Sequence, residues 1–212
     1  MRLWDLRKFH SIGKLSGGHQ AAVMCLDTGP TDTQDNNYVV TGSKDHYIKV
    51  FEVPENKGGV IAPKMNLEPP HYDGIQVQQI SFPFFNNIFL FQCLAIQGDT
   101  LFSASRDYCI KKWNLKSQEL IKSLNNAHKD WICGLTFLPS QPIIISGCRA
   151  GYIKLWSTET CNLVGEMKAH NSTINTITTN YSHIFTASND GSIGMWRLRS
   201  NYDLNSPDSE SS

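Results

Sequence analysis

The sequence predicts an all-β fold, an open, partial β-propeller of about four blades. Three observations predict it. An eleven-residue line recurs along the chain, a histidine recurs at a fixed offset from an aliphatic residue, and short β-prone runs alternate with Gly, Asn, Asp and Pro.

The recurring line reads TGSKDHYIKVF ending at Phe51, SASRDYCIKKW ending at Trp113, SGCRAGYIKLW ending at Trp156 and TASNDGSIGMW ending at Trp196. A truncated copy, RLWDL, places Trp4 near the start. The aromatic spacings are 47, 62, 43 and 40 residues. Propeller repeats of this kind run about 40–45 residues, so one interval is too long. His19, His71, His128 and His170 each precede an aliphatic residue by four, namely Val23, Ile75, Ile132 and Ile174. Three residues further on stand Leu26, Leu135 and Ile177. That pattern marks an inner strand. A second strand follows over Tyr38 to Gly42, Thr100 to Ala104, Ile143 to Gly147 and His183 to Ala187. The aromatic line is the third strand and a weaker fourth closes the unit. Residues 1–18 form a partial repeat, with its strands over Arg2 to Leu15. Repeats then span 19–70, 71–127, 128–169 and 170–198, the last with three strands. Closure, with Ser11 to Leu15 completing that last blade as a clasp, is the alternative to an open arc. Met1 falls inside a strand pattern, so the chain reads as the C-terminal arc of a larger ring. Residues 199–212 are polar and acidic and read as a disordered tail.

These landmarks resemble the WD40 repeat. The resemblance implies a WD40 β-propeller in which the loop histidine bonds the turn aspartate and a Ser or Thr links to the tryptophan N–H. Each group then satisfies a partner that is costly to bury alone. On matching positions the aspartates are Asp45, Asp107 and Asp190. Ala150 replaces the third, which leaves that network incomplete, and Phe51 offers no N–H. The structural residues are therefore His19, His71, His128, His170, Asp45, Asp107, Asp190, Trp4, Trp113, Trp156 and Trp196. They recur with the period, whereas a catalytic site needs convergence at one place.

The second full repeat breaks the ruler. Removing Val77 to Gln92, 16 residues, shortens the His71-to-His128 interval from 57 to 41 and the Phe51-to-Trp113 interval from 62 to 46. Leu94 then falls in step with Leu26, Leu135 and Ile177. The segment, VQQISFPFFNNIFLFQ, does not alternate like a half-exposed strand. Its codons permit a T-rich tract opening with GT and closing with AG, so it reads as a translated short intron of 48 nucleotides. A partner-binding loop is the rival reading. A membrane or re-entrant segment is disfavoured by Pro83 and the Asn86-Asn87 pair within a short stretch. Sequencing the transcript across the junction decides between them.

Composition narrows the function. Nineteen basic and 19 acidic side chains give a formal net charge of zero, with no bulk attraction to nucleic acid or anionic membrane. Six cysteines are scattered without a C-x-x-C pair, as expected of reduced thiols and not of a disulfide framework or zinc site. No paired carboxylates or metal cluster stand outside the periodic frame, so the chain is read as non-catalytic and without a cofactor.

The blocks HYDGI, LAIQGDTLFSASRD, IKKWNL, NAHKDWICGLTFLP, CRAGYIKLW and HIFTASNDGSIGMW carry a closer resemblance. They are similar to the C-terminal propeller of kinesin-4 type motors that end in WD repeats. The resemblance covers residues 1 to about 198, apart from the insertion. It implies a cargo and regulatory module of a microtubule motor, cytoplasmic and cytoskeleton-associated, whose partners are proteins: tubulin or microtubules, or cargo adaptors. No G-x-x-x-x-G-K-[ST] line and no heptad run occur, so motor and stalk are absent. The contacts are expected on loop-rich faces, at exposed Lys44, His46, Arg106, Tyr108, Lys129, Trp131, Arg149 and Tyr152. Packing of Trp131 and Tyr152 between blades is the alternative for those two. Two other functions compete: a generic WD40 adaptor of a ubiquitin-ligase or trafficking complex, and an enzyme.

Overall fold

A computed structural model describes residues 1–31, 36–54, 58–71, 93–139 and 141–197. Regular structure among them is entirely β, eighteen strands in five sheets. The chain opens with a hairpin of β1 (Arg2–Asp5) and β2 (His10–Leu15). The first full blade follows as β3 (Val23–Pro30), β4 (Asn36–Ser43) and β5 (Ile48–Pro54), then, after β6 (Gly59–Ile61), β7 (Met65–Leu67). The second blade is β8 (Cys93–Gln97), β9 (Thr100–Ala104), β10 (Ile110–Asn114) and β11 (Glu119–Leu124). The third is β12 (Ile132–Phe137), β13 (Ile143–Cys148), β14 (Tyr152–Ser157) and β15 (Leu163–Lys168). The last sheet holds β16 (Ile174–Thr179), β17 (Ile184–Ser188) and β18 (Ile193–Trp196).

The three full blades are four-stranded antiparallel meanders. Their first strands neighbour one another in turn, β3 to β8 to β12 to β16, so the blades stack side by side. The second strands explain the stacking. Successive side chains of a strand point to opposite faces, and here both faces are covered. Val39 packs towards the N-terminal sheet while Val40 packs towards the second blade. Leu101 and Phe102 divide in the same way, as do Ile144 and Ile145. That is why these strands read as continuous apolar runs and not as alternations. Each buried Leu, Ile or Phe in these layers stabilises by about 1.5–3 kcal/mol relative to exposure.

The register makes the blades superimposable. Opposite the hydroxyl positions Thr41, Ser103, Ser146 and Thr186 stand Leu26, Leu94, Leu135 and Ile177. Leu26, Leu135 and Ile177 each lie seven residues after the landmark histidine, whereas Leu94 lies 23 after His71. The second blade therefore carries sixteen more residues before this position than the others do. Residues 77–92, which the spacing marks as that surplus, lie outside the described residues, as do Ile75 and the tail at 199–212.

Two features of the strand edges go beyond the sequence reading. The clasp does not form. β2 pairs with β1 on one edge and with β6, in parallel, on the other, so it has no edge left for the last blade. Among the described residues β18 pairs with β17 alone, and Ile193 and Met195 are 78% and 65% exposed. The fourth-strand segment of the first blade is also split, with β6 lent to the N-terminal sheet and β7 closing its own. At the other end of the arc, Leu26 is 57% exposed, while Leu94, Leu135 and Ile177 are 9%, 8% and 6% exposed. The N-terminal sheet holds β1, β2 and β6 and has no inner strand to lie against Leu26.

Candidate functional site

A polar relay in each blade fixes the loops of one face. In the second blade the indole N–H of Trp113 donates to Ser103 Oγ at 2.8 Å. Ser103 in turn bonds His71 Nε2 at 2.8 Å, and His71 Nδ1 bonds Asp107 Oδ2 at 2.8 Å. An indole can only donate and a carboxylate only accept. The ends of the relay are thereby fixed: Trp113 donates to Ser103 and His71 Nδ1 donates to Asp107, which leaves Nε2 to close the chain with the Ser103 hydroxyl. Three of these four side chains are polar groups that would be costly to bury singly. The last blade repeats the relay through Trp196, Thr186, His170 and Asp190. The first blade has Thr41, His19 and Asp45 but Phe51 in place of tryptophan. There the Thr41 hydroxyl also lies 3.3 Å from the Lys49 carbonyl. Burial tends to raise the Asp45 carboxyl. The His19 ring and the amides of Gln20 and Tyr47 outweigh it and hold the group below its ordinary range. Trp4, by contrast, is 55% exposed on β1.

The third blade keeps the first half of the relay and loses the second. Trp156 donates to Ser146 and Ser146 bonds His128 Nε2, at 2.8 and 2.7 Å. His128 is 2% exposed and its Nδ1 has no hydrogen-bond partner. Burial, reinforced by the Lys154 ammonium, pushes the imidazole down to about 3. A cavity of about 130 Å³ opens at this position, lined by His128, Lys129, Cys148, Ala150, Tyr152, Lys154 and Glu166.

The turn after each aspartate position is left-handed. His46, Tyr108, Gly151 and Gly191 have φ of 71°, 63°, 81° and 82°. Two blades thus carry large side chains where the other two use glycine. A Cβ on Gly151 would overlap the His170 carbonyl oxygen, whereas one on Gly191 would meet nothing within 4 Å. Gly191→Ala should cost about 1–2 kcal/mol, the left-handed penalty alone. Gly151→Ala should cost at least about 2 kcal/mol more, because backbone must also move. Urea midpoints of the two variants check this, and equal losses would show that the close approach at Gly151 is not real.

Seven of the eight expected contact residues fall into three groups, and Tyr108 stands in the left-handed turn after Asp107. Arg106, Trp131 and Arg149 come together, with the guanidinium carbons of Arg106 and Arg149 at 3.9 and 4.6 Å from the Trp131 ring centroid. The Arg149 amide donates to the Trp131 carbonyl at 2.8 Å, which ties the loop before β14 to the loop before β12. Lys129 and Tyr152 flank the cavity, and the Lys168 ammonium sits 4.7 Å from the Tyr152 ring. Lys44 and His46 belong to the equivalent loop of the first blade, where the Lys44 amide donates to the Ala22 carbonyl. Exposure corrects the sequence reading. Arg106 is 6% exposed, with its guanidinium carbon held 3.9 Å from the centroid of the Trp131 ring. Lys44, His46, Tyr108 and Trp131 are half-buried, and Lys129, Arg149 and Tyr152 are exposed. Lys154, Glu166 and Lys168 were not legible as site residues, since they sit on strands that carry no loop signal.

The six cysteines are free, and burial raises the thiols, Cys25 to about 12 and Cys133 to about 11. No group of three or more His, Cys, Asp or Glu among the described residues is placed to hold a metal ion. No helix of the described residues is long and apolar enough to cross a membrane.

Comparison with known proteins adds the family. The model for "WD domain, G-beta repeat" matches residues 9–52, 118–157 and 161–197. Kinesin-like protein KIF21B of Homo sapiens is 50% identical over 196 residues, 92% of this chain and 11% of that protein. Kinesin-like protein KIF21A of Homo sapiens is 47% identical over 199 residues, 94% of this chain and 11% of that protein. Kinesin-like protein klp-12 of Caenorhabditis elegans is 33% identical over 206 residues, 93% of this chain and 12% of that protein. The chain thus spans about a ninth of the length of these relatives. Among solved structures, the WD40 repeats of RRP9 align with TM-score 0.65 at 19% identity, covering 87% of this chain and 51% of that one. The computationally designed Ika4 protein aligns with TM-score 0.63 at 23% identity, covering 90% of this chain and 99% of that one. At these identities the two structures speak to the fold alone.

Proposed function

Because the chain belongs to the WD domain, G-beta repeat family, whose propellers mediate protein–protein interaction, we propose that it acts as a non-catalytic scaffold in the manner of a kinesin-like tail. Its partners in this reading are microtubules or cargo adaptors, and its place is the cytoplasmic cytoskeleton. One observation carries the reading: the chain is 50% identical to a kinesin-like protein over 196 residues, 92% of its length. The contact face is the one that bears Trp131 and the exposed Arg149, with Arg106 buried beside the Trp131 ring. Arginine and tryptophan dominate binding hot spots because they bury large area and donate directional hydrogen bonds. Contact with the Trp131 ring also restricts the Arg149 side chain, which lowers the entropy cost of binding. The resemblance in sequence sets this reading apart from a generic adaptor of a ligase or trafficking complex.

Sedimentation of the full chain with taxol-stabilised microtubules tests it. The expected result is a saturable pelleted fraction that falls severalfold in Arg149→Ala, an exposed residue whose loss should leave folding intact. A chain that stays in the supernatant at all tubulin concentrations would point to the generic adaptor instead.

A further inference from the structure

We infer that the cavity at Ala150 is a carboxylate-binding site, taking an acidic side chain from a partner protein in the place where the other blades hold their own aspartate. The inference rests on the reading of the chain as a protein-interaction module.

The other blades show what the position is built for. Asp45 accepts from His19 Nδ1, from the Gln20 amide at 2.8 Å and from the Tyr47 amide at 3.1 Å. Asp190 accepts from His170 Nδ1 at 3.1 Å and from the amides of Asn171 and Ser192 at 3.2 and 3.0 Å. The third-blade counterparts of these donors are His128, Lys129 and Tyr152, and all three line the cavity. The acceptor is missing because Ala150 has no carboxylate. His128 Nδ1 is left unpartnered in a side chain that is 2% exposed, a cost that a native fold seldom leaves uncompensated.

The charge around the opening fits an anion. Lys129 and Lys154 stand on the wall, and the Lys168 ammonium bonds the Ala150 carbonyl at 2.6 Å. Two acids face them: Glu166, half exposed and 3.0 Å from the Lys154 ammonium, and Asp130, whose charge reaches the Cys148 thiol in the lining. Two carboxylates stand against three lysines and only Glu166 pairs with one of them, so the balance at the mouth stays positive. Cys148, on the floor, has a thiol raised by burial and brings no negative charge at neutral pH. The volume, about 130 Å³, exceeds what a single ordered water needs several times over and admits a carboxylate with its methylene. A guest carboxylate would accept from His128 Nδ1 and restore the Trp156–Ser146–His128 relay to its full length. The neighbouring Arg149 and Trp131 supply contact for the flanking backbone of an acidic peptide.

The test uses the full 212-residue chain at neutral pH with blocked octaglutamate as probe, followed by the imidazole ¹⁵N resonances of His128. Octaglutamate is expected to shift the Nδ1 signal saturably, at least tenfold more tightly than acetate at equal carboxylate concentration. Octalysine should leave it unmoved. Ala150→Asp supplies the carboxylate in cis, so it should shift the resonance by itself and abolish the response to octaglutamate. Lys129→Gln, an exposed change that cannot unfold the blade, should weaken the response severalfold. No response, or an undiminished response in Ala150→Asp, overturns the inference. Equal affinity for acetate and octaglutamate overturns the assignment to a partner's side chain. Microtubule sedimentation is read separately. A chain that answers octaglutamate but does not pellet keeps this site and loses the kinesin-like reading, and the converse result does the reverse.

Discussion

Trp113→Ala should lower the stability of the folded chain by about 3–5 kcal/mol, the range for removing a buried large aromatic, read as a fall in the urea midpoint. Trp113 is fully buried between the first and second blades, against Leu94, Leu101 and Leu115 on its own blade and the Val40 and Val50 layer of the other. Its loss opens a cavity there and removes the N–H that Ser103 accepts. Trp113→Phe separates the two effects. It keeps most of the ring and deletes only the donor, so about 1–2 kcal/mol is expected, the scale of one buried hydrogen bond. The first blade already lives with a phenyl ring at this position, Phe51 beneath Thr41. Trp4→Ala should cost under about 1 kcal/mol, since Trp4 is 55% exposed on the N-terminal hairpin. Similar losses in all three variants would contradict the layered packing.

Acidification from pH 6.5 towards 3 should remove on the order of 4 kcal/mol through His128 alone, at about 1.4 kcal/mol for each pH unit that separates its folded and unfolded values. The imidazole is held down to about 3 in the folded chain, whereas the unfolded chain takes up the proton near the ordinary value of about 6.5. Between those values the unfolded state binds more protons, so stability is fully present above pH 6.5 and is lost as the pH falls. The carboxyls of Asp45 and Glu52 are shifted down as well, but their contribution is lost only below the ordinary carboxylate range, about pH 4. Burial raises the Asp27 carboxyl, which acts in the opposite sense as the pH falls, so between about pH 6.5 and 4.5 the histidine is read from the difference between this chain and a variant that alters His128 alone. Ala150→Asp gives the imidazole a carboxylate partner, raises its folded value and should flatten the profile across that window. Parallel profiles for the two proteins would show that the unpartnered Nδ1 does not govern acid stability.

The periodic part of this fold was legible because the same polar relay must be rebuilt in every blade. His, Ser or Thr, Asp and Trp recur at offsets set by strand register, so the spacing of His19, His128 and His170 located three inner strands. The misfit at His71 measured a sixteen-residue surplus before Leu94. Strand edges were less legible. β6 is three residues long and joins a sheet that is not its own, and Gly59–Ile61 carries no periodicity to announce that. The clasp and the open arc stood as alternatives for the same reason, because nothing in Ser11 to Leu15 says which edge it will meet. The burial of Arg106 was hidden since an arginine reads as surface until a distant ring is found to lie under it. The Ala150 substitution was visible as a gap in the relay. The lysines around the gap were not, because Lys154 and Lys168 reach it only through the pairing of β14 with β15.

Hydrogen exchange of the five tryptophan indoles in the intact chain tests the stacked-relay account most directly. Trp113, Trp156 and Trp196 each donate to a hydroxyl of the neighbouring strand, at 2.8, 2.8 and 3.0 Å, so these three indole N–H signals should persist in D₂O long after that of Trp4 has gone. If all three vanish as fast as Trp4, the repeated blade with its buried relay is not the structure of this chain.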